Sequence, residues 1–343
     1  MIESMQLKLH KTDIAIIGAG PCGLFAVFQA GMLGLKCVVI DALDVIGGQC
    51  TALYPEKPIY DIPAFPEING IDLIHNLEKQ VAPFKPLYLL GKTVEKIARE
   101  VSGSFKLTAG DVEIEAKVII IAAGGGAFGP NRPPVMGIEE YEGSSVFYAV
   151  AKKDIFKNKK VVIAGGGDSA VDWAISLAEI ASKVSVVHRR DHFRAFDANV
   201  VKLRKLVEEG RIELLTPYQL HALEGRGGVL QKVVIADLDG GIRHIEADYL
   251  LPFFGLSMDL GPIADWGLAI EKKHLKVDTA TMETNIPGIF AIGDVVQYPG
   301  KLKLILMGFS EGAVAVHACY KHIFPDKHLH FEHSTTKGLP VGL

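Results

Sequence analysis

The sequence predicts an α/β protein with two Rossmann-like dinucleotide-binding domains. Three observations lead there: a glycine fingerprint set between two apolar strands at residues 12–41, a second copy of that pattern beginning at Lys160, and an apolar strand near the C-terminus that ends on Gly293-Asp294.

At 343 residues the chain is long enough for two domains, and its 49% hydrophobic content supplies sizeable cores. A formal net charge of −4 gives no global attraction to nucleic acid or to a membrane surface. Residues 1–11 lack the apolar core of a signal peptide, and no apolar run approaches the ~18 residues of a membrane span. A cytoplasmic protein is expected.

The first fingerprint reads as a buried strand from Asp13 to Ile17, a turn carrying Gly18, Gly20 and Gly23, an apolar helix to about Gly34, and a strand from Lys36 to Ile40 that ends on Asp41. The three glycines serve a tight turn, close approach of the backbone to a pyrophosphate, and helix packing on the strand. Asp41 lies 23 residues beyond Gly18, the register of a carboxylate that holds a ribose hydroxyl.

Four prolines between Pro55 and Pro66 exclude a long helix from the segment that follows. Its aromatic residues argue for order. Gln49 and Tyr54 have the chemistry to contact a flat ring, the tyrosine by stacking; the alternative is a loop anchored on its own domain. Helical spacing returns at Ile71 to Val81. Leu87 to Ile97 and Ser104 to Glu115 read as a small antiparallel excursion, and Ala116 to Ala122 as a return to the sheet. Hinge sequences are expected at GPNRPPV and at Pro252 to Pro262.

The second copy runs from a strand at Lys160 to Ile163, through Gly165, Gly167, Asp168, Ser169 and Ala170, into a helix at Val171 to Ile180 and a strand at Lys183 to Val187. In the register of Asp41 it carries His188, followed by Arg189 and Arg190, with Arg194 beyond. A cationic cluster there accommodates a 2′-phosphate, which favours NADP over NAD; the alternative is a solvated basic turn. Near the C-terminus, Asp294 at a strand's carboxyl end is suited to a sugar-alcohol hydroxyl, or to a helix cap.

The four cysteines, Cys22, Cys37, Cys50 and Cys319, form no CxxC pair. They read as buried inert thiols, and Cys50 has no sequence partner for a disulfide relay. The histidines of KHLHFEH, Lys327 to His333, have mixed spacing without cysteine, so no metal is expected.

GAGPCG with Asp41, GGGDSA with His188-Arg189-Arg190, and NIPGIFAIGD together resemble the two-dinucleotide flavoprotein superfamily of thioredoxin reductase, over essentially the whole chain. Thioredoxin reductases carry a CxxC shortly before the second fingerprint, where this chain reads SSVFYAVAKKDIF. The wording GGQCTALYPEKPIYDIPAFP, the segment Phe253 to Leu268 and a short Ser/Thr tail are more similar to the thioredoxin-reductase-like (type 2) ferredoxin-NADP reductases.

That resemblance implies an FAD domain split between residues 1–123 and 253–343, with an NADP domain inserted at 124–252. It implies FAD contacts at Gly18, Gly20, Gly23, Asp41, Gln49, Tyr54, Val94, Phe128, Asp294 and Thr335, with His333 stacked on the flavin face opposite Tyr54. The NADP contacts fall on the second fingerprint and its arginines. The implied chemistry is hydride transfer from NADPH to FAD, then single-electron steps to ferredoxin or flavodoxin, with no catalytic side chain required. A homodimer whose tail covers its neighbour's active site is also implied. Other acceptors stay open: oxygen, a quinone, a disulfide through Cys50, or none in a slowly turning redox sensor. An acidic carrier needs local cations, and two groups qualify: Lys152, Lys153, Lys157, Lys159 and Lys160, and Lys301 with Lys303. Each also reads as an ordinary solvated face.

Overall fold

The computed structural model describes residues 8–126, 129–330 and 332–339. The chain forms two compact units, Met1–Phe128 with Met258–Leu343, and Gly129–Ser257.

In the first unit, strand β1 (Lys8–Ile17), helix α1 (Pro21–Met32) and strand β2 (Cys37–Ile40) make a parallel βαβ motif. Pro21 opens α1, where its missing N–H would have had no helical partner anyway. Helix α2 (Gly70–Val81) buries Leu73, Ile74, Leu77 and Val81 along one stripe. Strand β3 (Leu87–Leu89) then pairs parallel with β2, so it belongs to the main sheet and not to an antiparallel excursion. Strands β4 (Lys96–Arg99) and β5 (Phe105–Ala109) do form that excursion.

Strand β6 (Val112–Ile121) joins two stretches that the sequence reading separated. Its first half, VEIEA, alternates because one face is partly open, and it pairs antiparallel with β5. Its second half, VIII, is continuously apolar because both faces are covered. The change of pattern marks a change of covering within one strand. β6 lies parallel to β1 along its whole length, giving the order β3-β2-β1-β6-β5-β4.

The second unit repeats the arrangement. Strands β7 (Lys160–Ala164), β8 (Lys183–Val187), β9 (Ile212–Leu215) and β13 (Tyr249–Pro252) form a parallel sheet in the order β9-β8-β7-β13. Helix α3 (Asp168–Leu177) follows β7, and α4 (Asp197–Glu208) follows β8. An antiparallel sheet of β10 (Gln219–Arg226), β11 (Val229–Ala236) and β12 (Ile242–Glu246) completes it. Where the chain enters and leaves this unit, Gly129–Pro130 pairs with Leu256–Ser257.

Returning to the first unit, β14 (Ile270–Glu271) and β15 (His274–Leu275) form a tight hairpin. Strand β16 (Ile289–Ala291) takes the free edge of the second half of β6, in parallel. Helix α5 (Ile305–Ile323) packs on the core with α1. Among the described residues no helix is long and apolar enough to cross a membrane.

Candidate functional site

The carboxyl ends of β1, β2, β6 and β16 open into a cavity of about 360 Å³. Adjacent strand ends in a parallel sheet are where such folds take their ligands. Three glycines shape the floor. A β-carbon at Gly18, whose φ is +114°, would lie 2.3 Å from the Ala122 carbonyl oxygen, and one at Gly23 would lie 2.0 Å from that of Gly18. At Gly20 nothing lies within 4 Å. Two glycines therefore permit close packing, while the middle one leaves the turn clear on the cavity side.

Asp41 fixes this turn to the end of β2. Its Oδ2 accepts the Ala19 N–H at 2.6 Å and its Oδ1 accepts the Leu43 N–H at 2.8 Å. Burial raises its pKa and the two amide hydrogen bonds oppose that shift. Each oxygen keeps a further lone pair.

Gln49, Tyr54, Val94 and Asp294 line the same cavity as Gly18, Gly20 and Asp41. The Cys50 thiol, 1% exposed, donates to the Tyr54 hydroxyl at 3.6 Å. Burial raises the pKa of both groups. Cys22 also lines the cavity, a placement not expected from its position in the motif, and burial pushes its thiol up to about 12. Its sulfur fills the space beside Gly293 and Gly308, where a β-carbon would lie 3.3 and 2.1 Å from it. The thiols are therefore protonated at neutral pH and act as packing groups.

The Asp294 turn is held from beneath. Glu311 on α5 accepts the Gly293 N–H at 2.7 Å and the Tyr298 hydroxyl at 2.6 Å, and its carboxylate also meets the Lys301 ammonium. The Lys301 and Glu311 side chains are 0% and 3% exposed. Lys301 is thus withdrawn from the surface charge group expected from sequence. Lys303 remains exposed and lines the cavity.

Three expected positions are not placed at this cavity by the described residues. Phe128 lies outside the described residues. His333 and Thr335 lie at a short C-terminal helix, Ser334–Lys337, are exposed, and do not line the cavity.

The second unit builds its turn in the same way. Gly165 has φ +151°, and a β-carbon there would lie 2.5 Å from the Phe253 carbonyl oxygen; Gly167, like Gly20, has nothing within 4 Å. Ala170 is buried beneath the turn and Ser169 is exposed. The Asp168 carboxylate accepts the Phe196 N–H at 2.9 Å, and the Arg194 N–H donates to the Gly166 carbonyl at 2.7 Å. These two bonds tie the arginine loop to the glycine turn.

His188 is not part of a cationic cluster. Its ring covers Gly166, where a β-carbon would lie 2.3 Å away, and its Nε2 donates to the His192 carbonyl at 3.2 Å. Burial, then the charges of Arg189, Arg194 and Arg190, lowers its pKa. The imidazole is therefore neutral at pH 7, and the cations at this strand end are the three exposed arginines.

A fold with a glycine turn at a parallel strand end in each of two units defines a protein that handles two dinucleotides. The chain belongs to the pyridine nucleotide-disulphide oxidoreductase family, whose pattern matches residues 12–312. A Ferredoxin--NADP reductase of Granulibacter bethesdensis is 58% identical over 98% of this chain and 97% of its own length. Proteins of the same name from Acidiphilium cryptum and Paramagnetospirillum magneticum are 59% and 56% identical over 96% and 97% of this chain, and over 97% and 99% of their own. Among solved structures, thioredoxin reductase of Lactococcus lactis superposes with a TM-score of 0.78 at 26% identity, covering 92% of this chain and 99% of its own. The T. acidophilum thioredoxin reductase gives 0.78 and 26%, over 91% and 98%.

Removing one member of a buried ion pair leaves an uncompensated charge, which costs about 3–5 kcal/mol. Lys301→Met is therefore expected to lower the unfolding free energy by about that amount in denaturant titrations. The double variant Lys301→Met/Glu311→Gln, whose amide oxygen still accepts the Gly293 N–H while its NH2 donates to the Tyr298 hydroxyl, is expected to lose less than the single one. Additive losses would show that the two groups are uncoupled.

Proposed function

We propose that the chain is an FAD-dependent oxidoreductase that moves electrons between NADPH and ferredoxin or flavodoxin, as a cytoplasmic homodimer. Relatives named Ferredoxin--NADP reductase match it at 56–59% identity over 96–98% of its length, and this likeness carries the proposal. Its cofactors are FAD and NADP(H). All four cysteines lie in the first unit and none between residues 129 and 257, so the dithiol of a thioredoxin reductase has no counterpart.

FAD is assigned to the first unit. Its fit rests on the open face of Gly20 and on a strand-end cavity that presents backbone, carboxylate and aromatic groups together. When bound, FAD accepts a hydride and releases electrons singly, so the protein's task is to position rings. The α1 N-terminus and the Gly18 turn receive the pyrophosphate, with Gly23 packed beneath. The spare lone pairs of Asp41 and the Asp294 carboxylate hold sugar hydroxyls. Tyr54, its hydroxyl held by Cys50, offers a ring face; Gln49 and Val94 complete the wall. Phe128, Thr335 and His333 are assigned to FAD by resemblance, the tail residues acting over a neighbour's site in the dimer.

NADP(H) is assigned to the second unit, on Gly165, Gly167, Ser169 and the α3 N-terminus. Arg189, Arg190 and Arg194 take the 2′-phosphate. Asp168 and His188 position that loop and turn, and Ala170 packs beneath.

Anaerobic mixing of the NADPH-reduced protein with ferredoxin, flavodoxin and thioredoxin tests the acceptor. Rapid oxidation by the first two and none by thioredoxin is expected, and Cys50→Ser is expected to leave this order unchanged. Reduction of thioredoxin alone would overturn the proposal.

Each charge-assisted phosphate contact contributes about 1.5–3 kcal/mol. Arg189→Ala/Arg190→Ala is therefore expected to weaken NADPH binding by about 100-fold or more and to leave NADH nearly unchanged. Equal losses for both coenzymes would make the arginines structural.

A further inference from the structure

Two adjacent lysines occupy a turn whose backbone favours glycine. Lys272 and Lys273 join β14 to β15 with φ values of 49° and 66°, and they are the only adjacent non-glycine residues of positive φ among the described residues. Glu271 pairs with His274 across them, which makes a two-residue hairpin loop. With both φ values positive it is of the I′ kind, where Asn-Gly is preferred. A side chain in the left-handed region is strained by its β-carbon against the backbone, and backbone strain of this kind collects at functional positions.

What the lysines bring to the turn is charge. Both are exposed, and neither forms an ion pair among the described residues. Their neighbour Lys276 is already matched by Glu271 at 3.2 Å. The Lys273 ammonium reaches only the Met258 carbonyl, at 3.5 Å.

The turn is linked to the cavity wall by two hydrogen bonds. His274 Nδ1 donates to the Lys272 carbonyl at 2.7 Å, which leaves Nε2 to accept from the Lys303 ammonium at 3.2 Å. Lys303 lines the cavity, as does Asp294. Lys303 therefore lies at the cavity and the exposed Lys272-Lys273 turn is tied to it through His274, with Leu302, 58% exposed, and Ile270, 38% exposed, as apolar neighbours. The other lysine group, in the second unit, is partly neutralised: Lys153 meets Glu179, and Lys160 meets Glu246.

We propose that Lys272, Lys273 and Lys303, with Leu302, form the docking surface for the acidic one-electron carrier, resting on the ferredoxin reading above. A carrier seated there abuts the cavity wall, so electrons cross a short distance. Each NADPH oxidised sends one electron to each of two oxidised ferredoxins, giving NADP⁺, one proton and two reduced ferredoxins.

The test replaces strain and charge together. Lys272→Asn/Lys273→Gly installs the residues this turn prefers, so the variant is expected to melt higher than the parent. Its NADPH-ferricyanide turnover is expected to be unchanged. Its KM for ferredoxin at low salt is expected to rise about tenfold with a flatter salt dependence, as for loss of steering charges. Lys272→Glu/Lys273→Glu is expected to raise KM further. An unchanged KM and salt dependence in both variants would remove the hairpin from the docking surface. A parent protein that reduces ferricyanide but neither ferredoxin nor flavodoxin would instead overturn the acceptor reading, and the docking proposal with it.

Discussion

The cavity of the first unit depends on a charge pair hidden from water. Lys301 and Glu311 are desolvated on the same side of the Gly293–Asp294 turn, and the carboxylate also receives a backbone N–H and a tyrosine hydroxyl. Desolvating two charges is costly, and the cost is offset only when geometry is good and the remaining hydrogen-bonding capacity is filled. Both conditions are met here. The turn cannot shift without leaving Glu311 under-satisfied, so Asp294 is held where β16 ends. Asp41 acts in the same way at the end of β2, where both its oxygens accept amide N–H groups that fix the Gly18 turn and the residues after β2. Rigid backbone held by hydrogen-bonded carboxylates is what a site needs when its chemistry resides in a bound ring system.

The same glycine arrangement serves both units, and the difference lies at the end of the second strand. In the first unit a carboxylate clamps the turn; in the second a neutral histidine covers Gly166, and arginines project beyond it. A sugar hydroxyl and a 2′-phosphate call for opposite charge, and under the proposed assignment the same backbone framework meets each through these few side chains.

Most of the architecture was legible in the sequence because its constraints are local. Glycine spacing records where backbones touch, and continuous apolar runs record strands covered on both faces. The family and its chemistry were legible for the same reason, through motifs such as GAGPCG and NIPGIFAIGD. Other features depend on long-range packing. Lys301 reads as a surface cation until α5 brings Glu311 to it. His188 stands in a ligand's register, yet its ring is turned onto Gly166. The alternating and continuous halves of β6 read as two elements because different neighbours cover them, and β3 reads as part of a meander because a three-residue strand carries little directional information. The strained Lys272-Lys273 turn had no sequence signal at all, since backbone dihedrals are not written in side-chain chemistry.

Assignment of FAD to the first of two nucleotide sites on one chain is tested most directly by denaturing the purified protein and identifying the released flavin by chromatography and absorbance. One FAD per chain is the predicted result. Release of FMN, or a colourless protein that FAD fails to reconstitute, would contradict it.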